Sequence, residues 1–162
     1  MENKVLSQYV DELADRVNGV VEESFGVLIL KVQASHINEV LIGAKNFPEV
    51  PCDFLHDLCG VDSGEHIEVV YQLSSLHGSQ LLRVKASMDR ENPVIDSATP
   101  IWEGANYLER EAYDMFGIKF KGHPNLKRIY MWDDFEGYPL RKDYVTEPIE
   151  VRNVVRKRIE GE

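Results

Sequence analysis

Cys52, His56 and Cys59 stand close together in the chain, with Asp62 and His66 following as further metal-ligating side chains. Zinc and iron–sulfur centres need thiolates and imidazoles converging on one point, commonly from a C-x-x-C knuckle, and no such knuckle occurs here. A strand over 52–58 would send Cys52 and His56 to one face and an extension to Cys59 to the other. Two small buried thiols and one hydrogen-bonded histidine are the simpler reading. Glu109, Glu111 and Asp114 form a second cluster. General acid–base chemistry uses carboxylates facing each other across a cleft. These three fall on one predicted helix beside Arg110, which is spaced to pair with Asp114 four residues on. The pattern predicts a solvated or interface face of ion pairs rather than a catalytic centre. A Gly-rich phosphate loop, an H-E-x-x-H helix, a dinucleotide fingerprint and a nucleophile elbow are all absent from the sequence.

A third cluster is basic and aromatic. Lys119, Lys121, Lys127 and Arg128 sit among rings, the combination that grips single-stranded nucleic acid. Charge argues against it. The 162 residues carry 18 Lys plus Arg and 28 Asp plus Glu, a net charge of −10 that repels phosphate. Residues 1–117 hold 8 basic and 20 acidic side chains (−12), residues 118–162 hold 10 and 8 (+2), so even the tail is nearly neutral. A charged rim around a protein interface explains these cations, and no nucleic-acid partner is expected. The most apolar run, Val27-Leu28-Ile29-Leu30, is strand-sized, so no direct membrane span is expected. The first residues, Met1-Glu2-Asn3-Lys4, do not read as a signal peptide, and two cysteines make no disulfide framework. A reduced, water-soluble chain is expected.

The elements that would position these groups follow from periodicity. Leu6, Val10, Leu13 and Val17 recur at helical spacing, and Asn18-Gly19 ends that helix. Val20–Ser24 and Val27–Val32 flank Phe25-Gly26 as two strands, suggesting a hairpin. Ser35 reads as the N-cap of a helix striped by Ile37, Val40, Leu41 and Ala44 that stops before Pro48. Cys52–Leu58 is a short strand. Ile67, Val69, Tyr71 and Leu73 alternate, as do Leu82, Val84, Ala86 and Met88, the latter pattern favouring an antiparallel neighbour. A helical region spans 97–116, with Asn106 and Glu109 spaced as a capping box and Gly117 placed as the left-handed exit. Strands grouped between helices predict an α+β fold: a mostly antiparallel (mixed) sheet of about five strands with helices packed on it, plus an extended C-terminal arm. The expected division is a globular domain over 1–117 and an interface arm over 118–162.

The arm carries the strongest signal. Phe120, Tyr130, Trp132, Phe135, Tyr138 and Tyr144 place six of the chain's fifteen aromatics in 25 residues, broken by Gly122, Pro124, Gly137 and Pro139. A backbone so interrupted makes neither a long helix nor a long strand. It must lay its rings on its own domain, on another subunit, or on both.

At these residues the sequence resembles the C subunit of proton-pumping NADH–quinone oxidoreductase, respiratory complex I. Glu109-Arg110-Glu111-Ala112-Tyr113-Asp114-Met115-Phe116-Gly117-Ile118 is similar to that family's E-R-E-x-Y-D-M-F-G-I signature. The likeness continues through Gly122-His123-Pro124-Asn125-Leu126-Lys127-Arg128-Ile129 and Gly137-Tyr138-Pro139-Leu140-Arg141-Lys142-Asp143-Tyr144. Asn92-Pro93, Ile101-Trp102 and Ala105-Asn106 extend it upstream. Phe135 stands where the family commonly has Trp, with Trp132 three residues earlier.

The resemblance implies a non-redox structural subunit of the hydrophilic arm, with no cofactor of its own. FMN, iron–sulfur clusters, NADH and quinone would belong to other subunits. The implied partners are the large D subunit at the quinone site, the B subunit with the terminal cluster and the ferredoxin-like I subunit, on the cytoplasmic side of the bacterial inner membrane. A related membrane-bound hydrogenase or a ferredoxin- or F420-linked oxidoreductase is the alternative complex. No catalytic, cofactor-binding or metal residue is assigned. Glu109, Arg110, Glu111 and Asp114 are the charged helix face at the arm's root; Gly117 and Gly122 permit its turns, and His123-Pro124 fixes a kink. Tyr113, Phe116, Arg128, Trp132, Phe135, Tyr138, Pro139 and Tyr144 are assigned to the same interface. Leu140, Arg141, Lys142 and Asp143 would dock on the partner, Arg141 through bidentate contacts to a carboxylate or to carbonyls.

Overall fold

The computed structural model describes residues 2–76 and 80–145. Two helices, α1 (Glu2–Val17) and α2 (Ile37–Lys45), bracket the hairpin of β1 (Val20–Ser24) and β2 (Val27–Gln33). Strands β3 (Phe54–Asp62), β4 (His66–Ser74) and β5 (Leu81–Asp89) follow, then β6 (Val94–Asp96), α3 (Ala105–Phe116) and β7 (Lys119–Lys121). Five strands form one sheet in the order β1-β2-β5-β4-β3. β5 pairs antiparallel with β4 and parallel with β2, while β1–β2 and β3–β4 are antiparallel, so the sheet is mixed and mostly antiparallel, as expected.

Alternation decides which face is buried. Leu30, Val84, Tyr71 and Leu58 share one row of the sheet, and Val32, Ala86, Val69 and Gly60 the next. All of these but Gly60, which has no side chain, enter a single apolar cluster with Leu6, Val10 and Leu13 of α1, Val40 and Leu41 of α2, and Ala105 and Ala112 of α3. Glycine at 60 is required by this packing. A Cβ there would lie 2.6 Å from the Phe116 ring, so its absence lets the end of α3 settle against β3.

Several local expectations change. β3 runs on to Asp62 although Cys59-Gly60-Val61-Asp62 has weak strand propensity, because eight register pairs with β4 override that preference. His56 falls at a bulge in this ladder. Ser35 lies in a short 3₁₀ turn and caps nothing; α2 starts after His36 without a side-chain cap. Asn18, at φ 51°, takes the left-handed exit expected of Gly19. The helical region starts at Ala105, not 97, because residues 98–106 form successive tight turns and the Asn106 N–H already bonds the Glu103 carbonyl. Asn106 is therefore no cap. β6 and β7, three residues each, pair in parallel and are too short to leave a period in the sequence.

Candidate subunit interface

An α-helix leaves its last four carbonyls without intrahelical partners. In α3 these are the carbonyls of Tyr113, Asp114, Met115 and Phe116, and each is satisfied from beyond the helix. Gly117 N–H donates to Tyr113 at 2.8 Å and Leu140 N–H to Met115 at 3.1 Å. Arg128 Nη1 donates to the Asp114 carbonyl at 3.2 Å, and Arg141 Nε to Phe116 at 2.7 Å. Residues 122–145 thus form a composite C-cap, and its two guanidinium groups sit where the helix dipole favours cations. Gly117 makes the exit possible: its φ is 74°, and a Cβ would run into the Tyr138 ring.

Asp114 is the centre of the arrangement. Its side chain is fully buried, and Oδ1 accepts from Arg128 Nη1 at 2.7 Å. Oδ2 accepts three consecutive backbone N–H groups, those of Ile129, Tyr130 and Met131, at 3.0, 2.7 and 3.0 Å. Burial opposes ionisation, but these donors outweigh it and hold the carboxyl below its ordinary range. Arg128 also reaches the carbonyls of Phe135 and Gly137 through Nη2, at 3.1 and 3.0 Å, and lies over the rings of Phe135 and Tyr138. The expected Arg110–Asp114 pair does not form. Arg110 donates instead to the carbonyls of Lys127 and Arg128, because three amides and a guanidinium already surround Asp114.

A second carboxylate fastens the end of this segment. Asp62, nearly buried at the end of β3, accepts from Arg90 Nη2 at 3.0 Å and from the Lys142 N–H at 2.9 Å. The Arg90 hydrogen bond depresses its pKa, against some desolvation. Arg90 also binds Asp143, lowering that carboxyl too, and Lys142 Nζ reaches the Ser63 carbonyl. His123 spans the other end: Nδ1 accepts from Asn125 N–H at 3.0 Å, so Nε2 carries the hydrogen and donates to the Asn106 carbonyl.

Glu109 departs from the solvated face expected of it. Its carboxyl is buried, accepting from Ser97 Oγ and the Ala98 N–H, both at 2.6 Å, and burial pushes its pKa up to about 7. Glu111 is exposed on the outer face of α3. Tyr113 meets Tyr138 edge to face, and Phe135 stacks on Tyr144, so these rings, with Pro139, are half-buried on their own chain. Phe120 enters the core. What remains outside is a set of large apolar groups: Trp132 (59% exposed), Leu140 (55%) and Tyr130 (61%), with Tyr107 on α3. Pro124, Lys142 and Asp143 are also exposed. Tyr130 is one of the rings of the expected arm, whereas Tyr107 lies outside it; its place on the outer side of α3 is legible only once Ala105, Glu109 and Ala112 are known to face inward. The outer end of the expected arm, 146–162, lies outside the described residues.

The metal-ligating cluster does not assemble. Cys52 is buried before β3, its thiol pushed up to about 12 by desolvation, whereas Cys59 is exposed on the opposite face. His56 bonds Ser74 Oγ, and His66 bonds Glu68. Among the described residues no three His, Cys, Asp or Glu side chains are grouped to hold a metal ion, and no helix is long and apolar enough to cross a membrane.

The chain is 42% identical over 132 residues to the NADH-quinone oxidoreductase C subunit 2 of Rhizobium meliloti (strain 1021), covering 78% of this chain and 72% of that one. It is 43% identical to the NADH-quinone oxidoreductase C subunit of Roseiflexus sp. (strain RS-1), over 86% and 81% of the two chains. A trypsin-resistant fragment of Nqo5 superposes with a TM-score of 0.66 at 30% identity, over 75% of this chain and 99% of the fragment. A chain of an archaeal membrane-bound sulfane sulfur reductase, 24% identical over 93% of this chain and 89% of that one, shares the fold with a TM-score of 0.70. The model for the 30 kDa subunit of respiratory-chain NADH dehydrogenase matches residues 30–150, from β2 through the composite cap of α3, and the chain belongs to that family.

Proposed function

We propose that this chain is a non-redox structural subunit of the hydrophilic arm of a proton-translocating NADH–quinone oxidoreductase, bound peripherally on the cytoplasmic side of the membrane. It docks on the subunits that hold the terminal iron–sulfur cluster and the quinone pocket, the B and D subunits, with the ferredoxin-like I subunit beside them. FMN, clusters, NADH and quinone are carried by those other subunits; this chain supplies no catalytic residue. Electron transfer depends on cofactors held at fixed separations, and a rigid scaffold contributes by preorganising its neighbours.

One observation supports the docking role above the rest. The segment after β7 is tied to its own domain through Asp114, Arg128, Arg141 and Asp62, yet Trp132 and Leu140 remain outward. A pre-ordered loop with exposed rings is the form of a binding hot spot, because little conformational entropy is lost on association. Arg141 serves this role indirectly, by fixing the loop to Phe116.

The test is to replace Trp132 and Leu140 by Ser in the chain as expressed in its host, purify the complex through this chain, and identify companions and cofactors. Thermal stability of the chain should hold while recovery of the iron–sulfur and quinone-site subunits falls about thirtyfold, the hot-spot scale. Undiminished recovery of those subunits sinks the docking assignment. Companions of a hydrogenase or ferredoxin-linked type replace the NADH-linked complex with its relative.

A further inference from the structure

The turn joining β1 to β2 is two residues long, Phe25-Gly26, with φ of 52° and 77°. Both central residues are left-handed, the arrangement of a type I′ hairpin, for which Asn-Gly is the favoured pair. A phenylalanine with positive φ is a backbone outlier, since its Cβ crowds the following carbonyl. Its side chain gives nothing back inside the chain: Phe25 is fully exposed. Neither backbone preference nor packing accounts for a phenylalanine here.

The turn also has company. Phe54, Ser74 and Leu81 are aligned across β3, β4 and β5, and Val27, beside the turn, is one residue before the Leu28–Leu82 pair. Phe54, Leu81 and Leu76 are all exposed, so large apolar groups gather at this end of the sheet. Asp62 and Arg90, which hold the 122–145 segment, lie at the opposite end of the same strands, about 30 Å away by strand rise.

Charge narrows the occupant. Glu23, Asp53 and Asp57 flank this end and make no ion pair among the described residues; Arg83, in the row of Asp57, hydrogen-bonds the neutral Gln72 and keeps its charge, so three carboxylates face one cation and the border is net acidic. An acidic border disfavours an anionic bilayer and favours a surface carrying Lys or Arg.

We propose that Phe25 is an anchor residue: the β1–β2 turn inserts its ring into an apolar pocket, bordered by basic side chains, on a second protein subunit, at an interface separate from that of residues 122–145. The proposal rests on the chain being a subunit of a larger complex. The strained backbone is tolerated because the ring is buried in the assembly and not in the free chain.

Two substitutions test it in the native complex. A benzophenone-bearing phenylalanine at position 25, irradiated in the assembled complex, should cross-link to one subunit other than a second copy of this chain, and peptide mapping should place the link among apolar residues next to Lys or Arg. Phe25→Asn should raise the melting temperature of the free chain by about 2–4 °C, because Asn suits the turn, while weakening retention in the complex about thirtyfold. Stabilisation with loss of binding is a combination that a structural role cannot produce. The proposal is overturned if the probe forms no protein cross-link in a complex that contains this chain, or if Phe25→Asn leaves retention unchanged. It is equally overturned if the substitution instead abolishes flotation of the purified chain with phosphatidylglycerol vesicles, or dissolves a homodimer. A chain recovered without any companion sinks the subunit reading itself, whereas an intact complex with Phe25 facing water sinks only the anchor.

Discussion

The sheet with its helices and the segment over 122–145 are held by different forces. Leu30, Tyr71, Val84, Leu41 and their neighbours are removed from water in one apolar cluster, and no single contact dominates it. The segment after β7 has little regular structure and is held by a few charge-assisted hydrogen bonds converging on Asp114 and Asp62. Apolar stabilisation is spread over many side chains and insensitive to pH; charge-assisted stabilisation is concentrated and titrates. The arm is therefore the part of the molecule that one substitution, or acid, can release while the sheet stays folded.

The largest effect should come from Asp114→Ala. It strands Arg128 and three amides, a loss of about 3–5 kcal/mol by the usual cost of breaking a buried charge pair. Limited proteolysis should cut within 122–145 while the β-sheet circular dichroism is retained. Acid should mimic the substitution. Asp114, Asp62 and Asp143 all have depressed pKa values, so their contribution is present above the ordinary carboxylate range and lost as pH falls through their lower folded values. Cleavage of the arm should rise only below about pH 4. Arm and sheet melting together at every pH would erase the contrast.

Gly117→Ala comes next, at about 2 kcal/mol, combining left-handed strain with displacement of the Tyr138 ring. It should lower the melting temperature by about 4–8 °C and change tyrosine fluorescence.

The smallest effect lies in the body of the domain. Glu109 is raised from 4.5 to about 7, so its contribution is complete below pH 4.5 and is lost as pH rises through about 7, opposite in sign to the arm. Glu109→Gln should flatten that slope and stabilise the chain at pH 8 by about 1 kcal/mol, measured by denaturant titration at pH 5 and 8. An unchanged slope would remove Glu109 as its source.

What the sequence determined by itself was whatever depends on local period and backbone preference. The hairpin around Phe25-Gly26, the alternation of Ile67–Leu73 and Leu82–Met88, the stripe of α2 and the glycine exit at 117 were all legible, because each is set by neighbours a few residues apart. So was the aromatic, proline-broken character of residues 120–144. Tertiary structure decided where the charges went. Asp114 chose Arg128 and the 129–131 amides over Arg110 four residues away, and Glu109 turned inward to Ser97 and Ala98. A buried carboxylate selects its partners by desolvation and by the amides presented to it, and both are properties of the assembled packing that spacing along one helix does not contain.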